Sequence, residues 1–253
     1  MGAIDLSPLI CGAGTDELTW RRWLARLRCH ELSMRDWLPA SARLVVVAPH
    51  PDDEILASGG LIAMHAAQGG QVQIVAVTDG EASHDESPSY RREVLAAVRR
   101  QERWAGLAHL GLSSPAVVSL GLEDGEVHAL TEVLRENLAA LLHRDDVVVS
   151  TWEHDGHPDH DAVGHITREI CASMGCAHLA APVWMWHWAK PDDPRVPWRR
   201  LRSVPLNADD SARKQAALAV HQSQLSPRSH ELGAVLGEQI VKRAGWRSEY
   251  YFA

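Results

Sequence analysis

Short apolar runs alternate with helical patterns along most of this chain, and this alternation constrains the fold more than any other feature. Residues 44–48, Leu-Val-Val-Val-Ala, are typical of a strand buried on both faces of a parallel sheet. The strand-like runs are residues 44–48, 72–77, 116–120, 147–151 and 201–206, and the helical patterns are residues 55–68, 89–110, 129–142, 162–174 and 211–222. This order predicts an α/β fold, a doubly wound, mostly parallel Rossmann-like sheet with helices on both faces.

The domain organisation follows from length and from where the alternation starts. A chain of 253 residues is short enough to form a single domain. Residues 1–42 are predicted to be an N-terminal helical segment packed on the core, because apolar side chains such as Leu18, Trp23 and Leu27 recur at helical spacing. Residues 43–253 are then the main domain. Residues 184–198, rich in Trp, Pro and Asp, are interpreted as an irregular insertion.

Tryptophan is unusually common, with 10 Trp against 1 Phe. Four of them fall in or at the edge of the irregular piece: Trp184, Trp186, Trp188 and Trp198. Two interpretations stay open. The indoles form a wall on which a sugar stacks, or the alternating Trp184 and Trp186 are one face of a buried strand.

Charge and hydropathy exclude several classes of protein. The 25 Lys and Arg against 33 Asp and Glu give a net charge of −8, which argues against a nucleic-acid footprint. No run approaches the roughly 18 apolar residues of a transmembrane segment, and the first residues have no secretory pattern. We therefore expect a cytoplasmic protein with no transmembrane segment and no nucleic-acid partner.

Two polar clusters directly follow strand-like runs. The sequence PHPDDE occupies residues 49–54, and WEHDGHPDH occupies residues 152–160. In an open α/β sheet, binding sites lie just past the carboxyl ends of the strands. Concentrating carboxylates and imidazoles in two such turns costs stability unless a cation or a reaction uses them. The clusters therefore predict a site shared by two strand ends.

Imidazole and carboxylate together suit zinc or ferrous iron. A catalytic zinc keeps about three protein ligands and leaves a position for water. Adjacent Asp52 and Asp53 allow a division of labour, because neighbouring residues in a tight turn point in different directions. One carboxylate can bind a metal while the other acts as a general base.

The two clusters, in this order, closely resemble the PIG-L/LmbE-type de-N-acetylases, metal-dependent amidases that act on N-acetylglucosaminyl groups. The resemblance covers about residues 43–224. Weaker features agree with it in order: TDGE at 78–81, RRQE at 99–102, LGLEDG at 120–125, Lys214, and HQSQ at 221–224. The paired main motifs are highly specific, whereas each of the other features alone is weak.

The resemblance implies a role for each residue of the main motifs. His50, Asp53 and His160 would be the metal ligands. Asp52 would be the general base that takes the proton of the attacking water. His157 would polarise the amide carbonyl or stabilise the oxyanion, and Asp159 would orient His157 and keep it protonated.

Three further residues match family positions near the substrate. Arg99 and Asp124 would lie near the sugar hydroxyls, although a helix-surface ion pair for Arg99 and a turn cap for Asp124 explain the same residues equally well. Asp155 would line the mouth of the site.

The resemblance implies an enzyme that removes an acetyl or other acyl group from the amine of an N-acetylated amino sugar or glycoconjugate. The metal that it implies is Zn²⁺, with Fe²⁺ or another divalent metal as alternatives. A small-molecule substrate is expected, and assembly into a homo-oligomer stays open. Three other functions are weighed against this one: an amidase on a non-sugar or thiol-conjugate amide, a ferrous-iron oxygenase, and a non-catalytic metal- or carbohydrate-binding protein. The last two give Asp52, His157 and Asp159 no acid–base work.

Overall fold

The strands and helices are those of a computed structural model that describes residues 8–10, 12–85, 91–112, 116–229 and 232–253. The strands of these ranges are β1 (His30–Glu31), β2 (Arg43–Ala48), β3 (Gln71–Ala76), β4 (Val117–Ser119), β5 (Val147–Thr151), β6 (Ala177–Ala181), β7 (Leu201–Pro205) and β8 (Ser248–Phe252). The helices are α1 (Glu17–Leu24), α2 (Met34–Trp37), α3 (Asp53–Ala67), α4 (Arg92–His109), α5 (Thr131–Leu141), α6 (Pro158–Met174), α7 (Met185–Trp188), α8 (Ala208–Ala219), α9 (Gln222–Leu225) and α10 (Glu238–Ala244).

All of these strands belong to one sheet, in the order β1-β7-β8-β6-β5-β2-β3-β4. The five strands β4, β3, β2, β5 and β6 pair in parallel. Strand β8 is antiparallel to both of its neighbours, β6 and β7. The predicted single-domain, doubly wound and mostly parallel α/β fold is confirmed.

Side chains of the central strands alternate between two hydrophobic clusters, one on each face of the sheet. In β2, Leu44 and Val46 belong to the cluster covered by α3, α4 and α8. Val45 and Val47 belong to the cluster covered by α5 and α6. Because both faces are buried, these strands read as continuous apolar runs rather than as alternating ones.

Strands β2 and β5 lie side by side at the centre of the sheet, with Leu44 paired to Val147 and Val47 paired to Ser150. After β2 the chain enters α3 on one face of the sheet, and after β5 it enters α6 on the opposite face. Diverging connections of this kind open a crevice at the carboxyl ends of the two strands. Both motifs predicted to carry chemistry leave the sheet there.

Helix α6 begins at Pro158, four residues before the predicted start. The His157 side chain caps the helix by accepting a hydrogen bond from the Asp159 backbone N–H. Pro158 occupies the first helical position, where its missing N–H has no intrahelical partner to lose. Asp159 and His160 therefore lie in the first turn of α6 and not in a preceding loop.

The N-terminal segment contributes more than helices. Strand β1 pairs in parallel with β7, so the segment also supplies an edge strand to the sheet. Trp20 and Trp23 of α1 pack with Trp186 and Trp198 in a third hydrophobic cluster. Residues 1–7 and residue 11 lie outside the described residues, and the boundary at residue 42 stays a prediction.

The C-terminal helix α10 and strand β8 were not predicted. Strand β8 joins the sheet through the pairs Ala180 with Phe252 and Ser203 with Tyr250. Glu249 on this strand accepts hydrogen bonds from the backbone N–H groups of Gly60 and Leu61 at 2.7 and 2.9 Å. The end of the chain thereby fixes the middle of α3, the helix that begins at the first polar motif.

Candidate metal centre and active site

Residues 50–53 form the tight turn between β2 and α3. Asp52 has φ 126° and ψ −27°, a backbone conformation that residues with a side chain rarely adopt. The turn brings the Asp53 carboxylate within 3.0 Å of the His50 backbone N–H, which donates to it. Strain of this kind persists only where surrounding contacts enforce it, and it is concentrated at functional sites.

Helix α6 brings the second motif to the same crevice. The Thr151 hydroxyl donates to the backbone carbonyl of His160 at 2.9 Å. One turn further along, Gly164 packs so closely on the end of β5 that an added Cβ would lie 2.5 Å from the Thr151 carbonyl oxygen. This close packing fixes how far His160 reaches into the crevice.

His50, Asp53 and His160 converge on one point. The distances are 3.0 Å between His50 Nδ1 and Asp53 Oδ2, 3.1 Å between Asp53 Oδ2 and His160 Nε2, and 3.3 Å between the two ring nitrogens. Ligands about 2.0–2.1 Å from a tetrahedral zinc lie about 3.3 Å from one another, so the spacing of these atoms fits such an ion. The structure brings the three predicted ligands together, and their ligation of a metal stays a prediction.

The second nitrogen of each of these two rings faces a carboxylate. His50 Nε2 lies 3.1 Å from Asp124 Oδ1 and 3.2 Å from Asp159 Oδ2, and His160 Nδ1 lies 2.8 Å from Asp155 Oδ2. Carboxylates in this position fix the tautomer and orientation of a metal-binding imidazole. They leave His50 Nδ1 and His160 Nε2 as the free ligand atoms, which are the two that face Asp53.

The excess of buried negative charge also favours a cation. Six buried carboxylates surround the crevice among the described residues, against two buried guanidinium groups: Asp52, Asp53, Glu54, Asp124, Asp155 and Asp159, with Arg99 and Arg103. Unpaired buried charge is strongly destabilising. Two imidazoles and a carboxylate at the centre of this cluster are the donor set of a catalytic zinc site and also of a ferrous one.

Asp52 stands beside the three candidate ligands and forms its ion pair with Arg99, whose Nη2 lies 3.1 Å from Asp52 Oδ2. Burial raises the pKa of Asp52 to about 7, although the positive charge of Arg99 opposes this rise. A carboxyl group with a pKa near neutrality is suited to take up a proton and release it again.

His157 lies against both candidate ligand rings, with ring centroids 4.9 Å from those of His50 and His160. Its Nδ1 accepts a hydrogen bond from the Asp159 backbone N–H at 3.2 Å, which places the ring proton on Nε2. Burial, together with the positive charge that His50 and His160 carry when they are protonated, lowers the pKa of His157 to about 3. The ring is therefore a neutral hydrogen-bond donor.

These contacts contradict the prediction that Asp159 orients His157 and keeps it protonated. The Asp159 carboxylate instead faces His50 and accepts hydrogen bonds from the backbone N–H groups of Gly125 and Val127 at 2.8 and 3.1 Å. The hydrogen bond from Asp159 to His157 comes from the backbone, and the carboxylate acts on that ring only through its charge, which opposes the lowering of the His157 pKa. The carboxylate turns away because the first turn of α6 directs it to the loop that follows β4.

Arg99 and Asp124 both line the cavity above the crevice, but their polar groups are largely engaged. Arg99 is buried and donates to the carbonyl oxygens of Gly80 and Pro51 at 2.7 and 2.8 Å, as well as to Asp52. Asp124 accepts from the Ala82 backbone N–H at 2.8 Å and faces His50. Both are placed to hold the motif side chains, and the substrate contact predicted for each stays a prediction.

The predicted place of Asp155 at the mouth is wrong. The residue is fully buried, and its carboxylate faces His160 and three backbone N–H groups of the segment that begins α7. The reason is that residues 155–157 turn inward to start α6, which directs this side chain beneath the centre.

A cavity of about 660 Å³ lies above the candidate centre, within the range of small-molecule sites. Its floor includes His50, Asp52 and Asp53, and His157 also lines it. Of the four tryptophans that the sequence offers for a sugar-stacking wall, Trp184 lines this cavity, whereas Trp186 and Trp198 pack in the aromatic cluster with Trp20.

Sequence reasoning misses several residues of the site and of its cavity. Leu236 and Ile240 come from the C-terminal part of the chain, for which no element had been predicted. Arg103, the buried partner of Glu54 at 3.2 Å, was missed as well. Arg103 follows Arg99 by four residues, so the helical spacing on α4 is a signal that could have found it.

Fold and site together define a Rossmann-like α/β protein with a candidate metal centre of two histidines and one aspartate at the crevice between its two central strands. The PIG-L family, described as GlcNAc-PI de-N-acetylase, matches residues 45–171. The chain belongs to this family, and the predicted family is confirmed.

Curated relatives agree with this assignment. The 1D-myo-inositol 2-acetamido-2-deoxy-alpha-D-glucopyranoside deacetylase of Mycolicibacterium gilvum is 29% identical over 83% of this chain and 89% of its own length. A deacetylase of the same description from Saccharopolyspora erythraea is 30% identical over 74% of this chain and 79% of its own length.

Solved structures share the fold. The N,N'-diacetylchitobiose deacetylase of Pyrococcus horikoshii superposes with a TM-score of 0.57 at 21% identity, over 76% of this chain and 74% of its own. A deacetylase of the teicoplanin biosynthesis pathway superposes with a TM-score of 0.64 at 17% identity, over 83% of this chain and 97% of its own. Among the described residues, no helix has the length and apolar character to cross a membrane.

Proposed function

We propose that this protein is a metal-dependent hydrolase that removes the acetyl group from the amine of an N-acetylated amino sugar or glycoconjugate. The observation that carries the proposal is the convergence of His50 Nδ1, Asp53 Oδ2 and His160 Nε2 within 3.3 Å of one another, at the floor of the cavity that Asp52 lines. Family membership and the descriptions of the relatives support hydrolytic N-deacetylation as the reaction.

Zinc is the metal that we propose for the site, held by His50, Asp53 and His160. Bound there, a zinc ion supplies a Lewis acid that polarises a carbonyl oxygen and lowers the pKa of water. The donor set also accepts ferrous iron, and metal analysis of the purified protein distinguishes the two.

Asp52 moves the proton in the proposed reaction. Its carboxylate takes a proton from the attacking water as the new C–O bond forms at the amide carbon. The same group delivers that proton to the nitrogen as the C–N bond breaks, so the products are acetate and a free amine. The ion pair with Arg99 at 3.1 Å orients the carboxylate for both steps.

His157 is proposed as the donor to the developing oxyanion. The ring proton on Nε2 is available because Nδ1 is occupied by the Asp159 backbone N–H. A neutral imidazole held in this way stabilises negative charge on oxygen by hydrogen bonding and needs no net transfer of a proton.

The test is acetate release from N-acetylglucosamine conjugates by wild type and Asp52→Asn at equal metal content. The amide keeps the shape of the carboxylate and removes the base, so turnover should fall by about 10²–10⁴-fold while the metal is retained. Asp79→Asn is the matched control, because Asp79 in the loop after β3 pairs with Arg100, the exposed neighbour of Arg99 on α4.

A variant that retains its metal and turns over within about threefold of wild type would contradict the role of Asp52 as base. Wild type that binds zinc and releases no acetate from any of these conjugates would instead favour an amidase on another class of amide or a binding protein.

A further inference from the structure

The Asp155 carboxylate is surrounded by hydrogen-bond donors from two separate parts of the chain. Its Oδ2 accepts from His160 Nδ1 at 2.8 Å and from the Trp184 backbone N–H at 2.9 Å. Its Oδ1 accepts from the backbone N–H groups of Val183 and Met185 at 2.9 and 2.8 Å. Four donors use the full acceptor capacity of one buried carboxylate.

The backbone of Asp155 extends the same connection. Its carbonyl oxygen accepts from the indole N–H of Trp188 at 2.7 Å, at the other end of α7. Residues 183–188 therefore depend on Asp155 for several of their polar contacts. This segment carries Trp184 and His187, both of which line the cavity above the candidate metal centre.

We propose that Asp155 is a positioning residue that couples the candidate ligand His160 to the cavity wall formed by residues 183–188. The inference rests on the proposed function, because it assigns His160 to the metal.

The coupling follows from sharing one carboxylate. A metal on His160 Nε2 fixes the ring and strengthens Nδ1–H as a donor to Asp155. Because the carboxylate is then fixed in position, the backbone N–H groups of residues 183–185 lose their acceptor less often. If bound metal strengthens substrate binding by ordering this wall, then by thermodynamic linkage bound substrate strengthens metal binding by the same factor.

The first measurement uses wild type alone. Amide hydrogen exchange of residues 183–185 should slow by at least about fivefold when zinc is added, because these N–H groups open only when the Asp155 carboxylate releases them. The amides of β3, on the other side of β2, are the internal reference: any slowing there reports the stabilisation of the whole fold by zinc, and residues 183–185 should slow through local openings that cost less free energy than global unfolding. Equal exchange at residues 183–185 with and without zinc would overturn the coupling.

The second measurement uses Asp155→Asn. The amide places an N–H₂ group where one carboxylate oxygen stood, so at least one of the four donors loses its acceptor. Zinc affinity, measured by competition with a chelator, should fall about 10–100-fold, and the zinc-dependent protection of residues 183–185 should disappear. Zinc affinity within about threefold of wild type would overturn the proposal.

Asp146→Asn is the matched control. Asp146 is also buried and accepts from Arg43 Nη2 at 2.6 Å and from the His143 backbone N–H at 2.7 Å, but at the opposite end of β5. It should lower the free energy of unfolding and leave zinc affinity unchanged. If Asp155→Asn does not fold, the exchange experiment on wild type decides alone.

These outcomes separate this proposal from the proposed function. Zinc-dependent protection of residues 183–185 without any acetate release leaves the coupling intact and rejects the deacetylase. Acetate release with unchanged exchange would support the deacetylase and reject the coupling.

Discussion

Asp52 unites two features that cost stability: a positive φ of 126° and a carboxylate buried beside other carboxylates. Its partner Arg99 is itself held by two backbone carbonyls, so the guanidinium cannot follow the carboxylate if it moves. Gly80 allows this arrangement, because a Cβ there would lie 2.0 Å from Arg99 Nη1. The orientation of the proposed base is thus set by a chain of contacts that begins in the loop after β3.

Arg99→Gln should move the acidic limb of the pH–rate profile to higher pH. The positive charge of Arg99 favours the ionised form of Asp52, and burial has already raised the pKa of that carboxyl to about 7. Loss of the charge raises this pKa further, by about one pH unit or more, so a higher pH is needed to ionise the base. The measurement is kcat/KM against pH at equal metal content.

Arg100→Gln is the control for that experiment. Arg100 is the next residue on α4 but pairs with Asp79 on the surface. It should leave the acidic limb in place. An acidic limb that does not move in Arg99→Gln would mean that Asp52 is not the group that sets it.

At the residue scale, the sequence was sufficient to predict which side chains meet but not which partner each one takes. His50, Asp53 and His160 converge as the two strand-end motifs predict. The direction of Asp155 and of the Asp159 carboxylate depends on where α6 begins, and their partners at residues 183–185 and 125–127 lie outside both motifs. No local pattern predicts such contacts.

At the scale of elements, the contact between α6 and β5 places half of the candidate site. Gly164 allows this contact, since a Cβ there would lie 2.5 Å from the Thr151 carbonyl oxygen and 2.6 Å from the Glu153 backbone nitrogen. Both neighbours are backbone atoms next to the strand and cannot rotate away. The helix must therefore move if the glycine gains a side chain.

Gly164→Ala should lower both stability and metal affinity. Overpacking of this kind costs about 1–3 kcal/mol, and displacement of α6 moves His160 away from His50 and Asp53. The measurements are the free energy of unfolding without metal and the zinc affinity of the folded variant.

Gly233→Ala is the matched control, because no atom of the described residues, apart from its chain neighbours, lies within 4 Å of a Cβ added there. It should change neither quantity. Zinc affinity equal to that of wild type in Gly164→Ala would show that the position of His160 does not depend on this contact.

The elements that the sequence analysis missed share a physical reason. The buried parallel strands can be predicted from the local sequence because they begin as apolar runs, as residues 147–151 do. Strand β8 contains Ser248, Glu249 and two tyrosines, and Glu249 is buried only because Lys214 and the middle of α3 supply its partners. A strand whose polar residue is satisfied by distant elements has no local signature.

For the molecule as a whole, the net charge of −8 is concentrated in part at the crevice, where six buried carboxylates face two buried guanidinium groups in the part of the chain that the structure describes. A divalent cation relieves this excess in the folded chain and finds no assembled site in the unfolded one. Metal binding should therefore contribute directly to the free energy of folding.

Zinc at about 100 times its dissociation constant should stabilise wild type by about 2.7 kcal/mol and raise Tm by about 5–10 °C. His50→Ala, Asp53→Ala and His160→Ala should each lose most of this rise, because each removes one of the three candidate ligands. Differential scanning calorimetry with zinc and with a chelator makes the comparison. An undiminished rise in all three variants would place the cation elsewhere.

The position of β8 also has a consequence for how the chain folds during synthesis. This strand lies between β6 and β7, yet every other strand of the sheet leaves the ribosome before it. The parallel core from β4 to β6 can assemble as soon as β6 has emerged, whereas β7 and its edge partner β1 have no place to attach until β8 arrives. The nascent chain therefore carries an unpaired edge of β6 until β8 is made, and this open edge exposes the chain to aggregation during that interval.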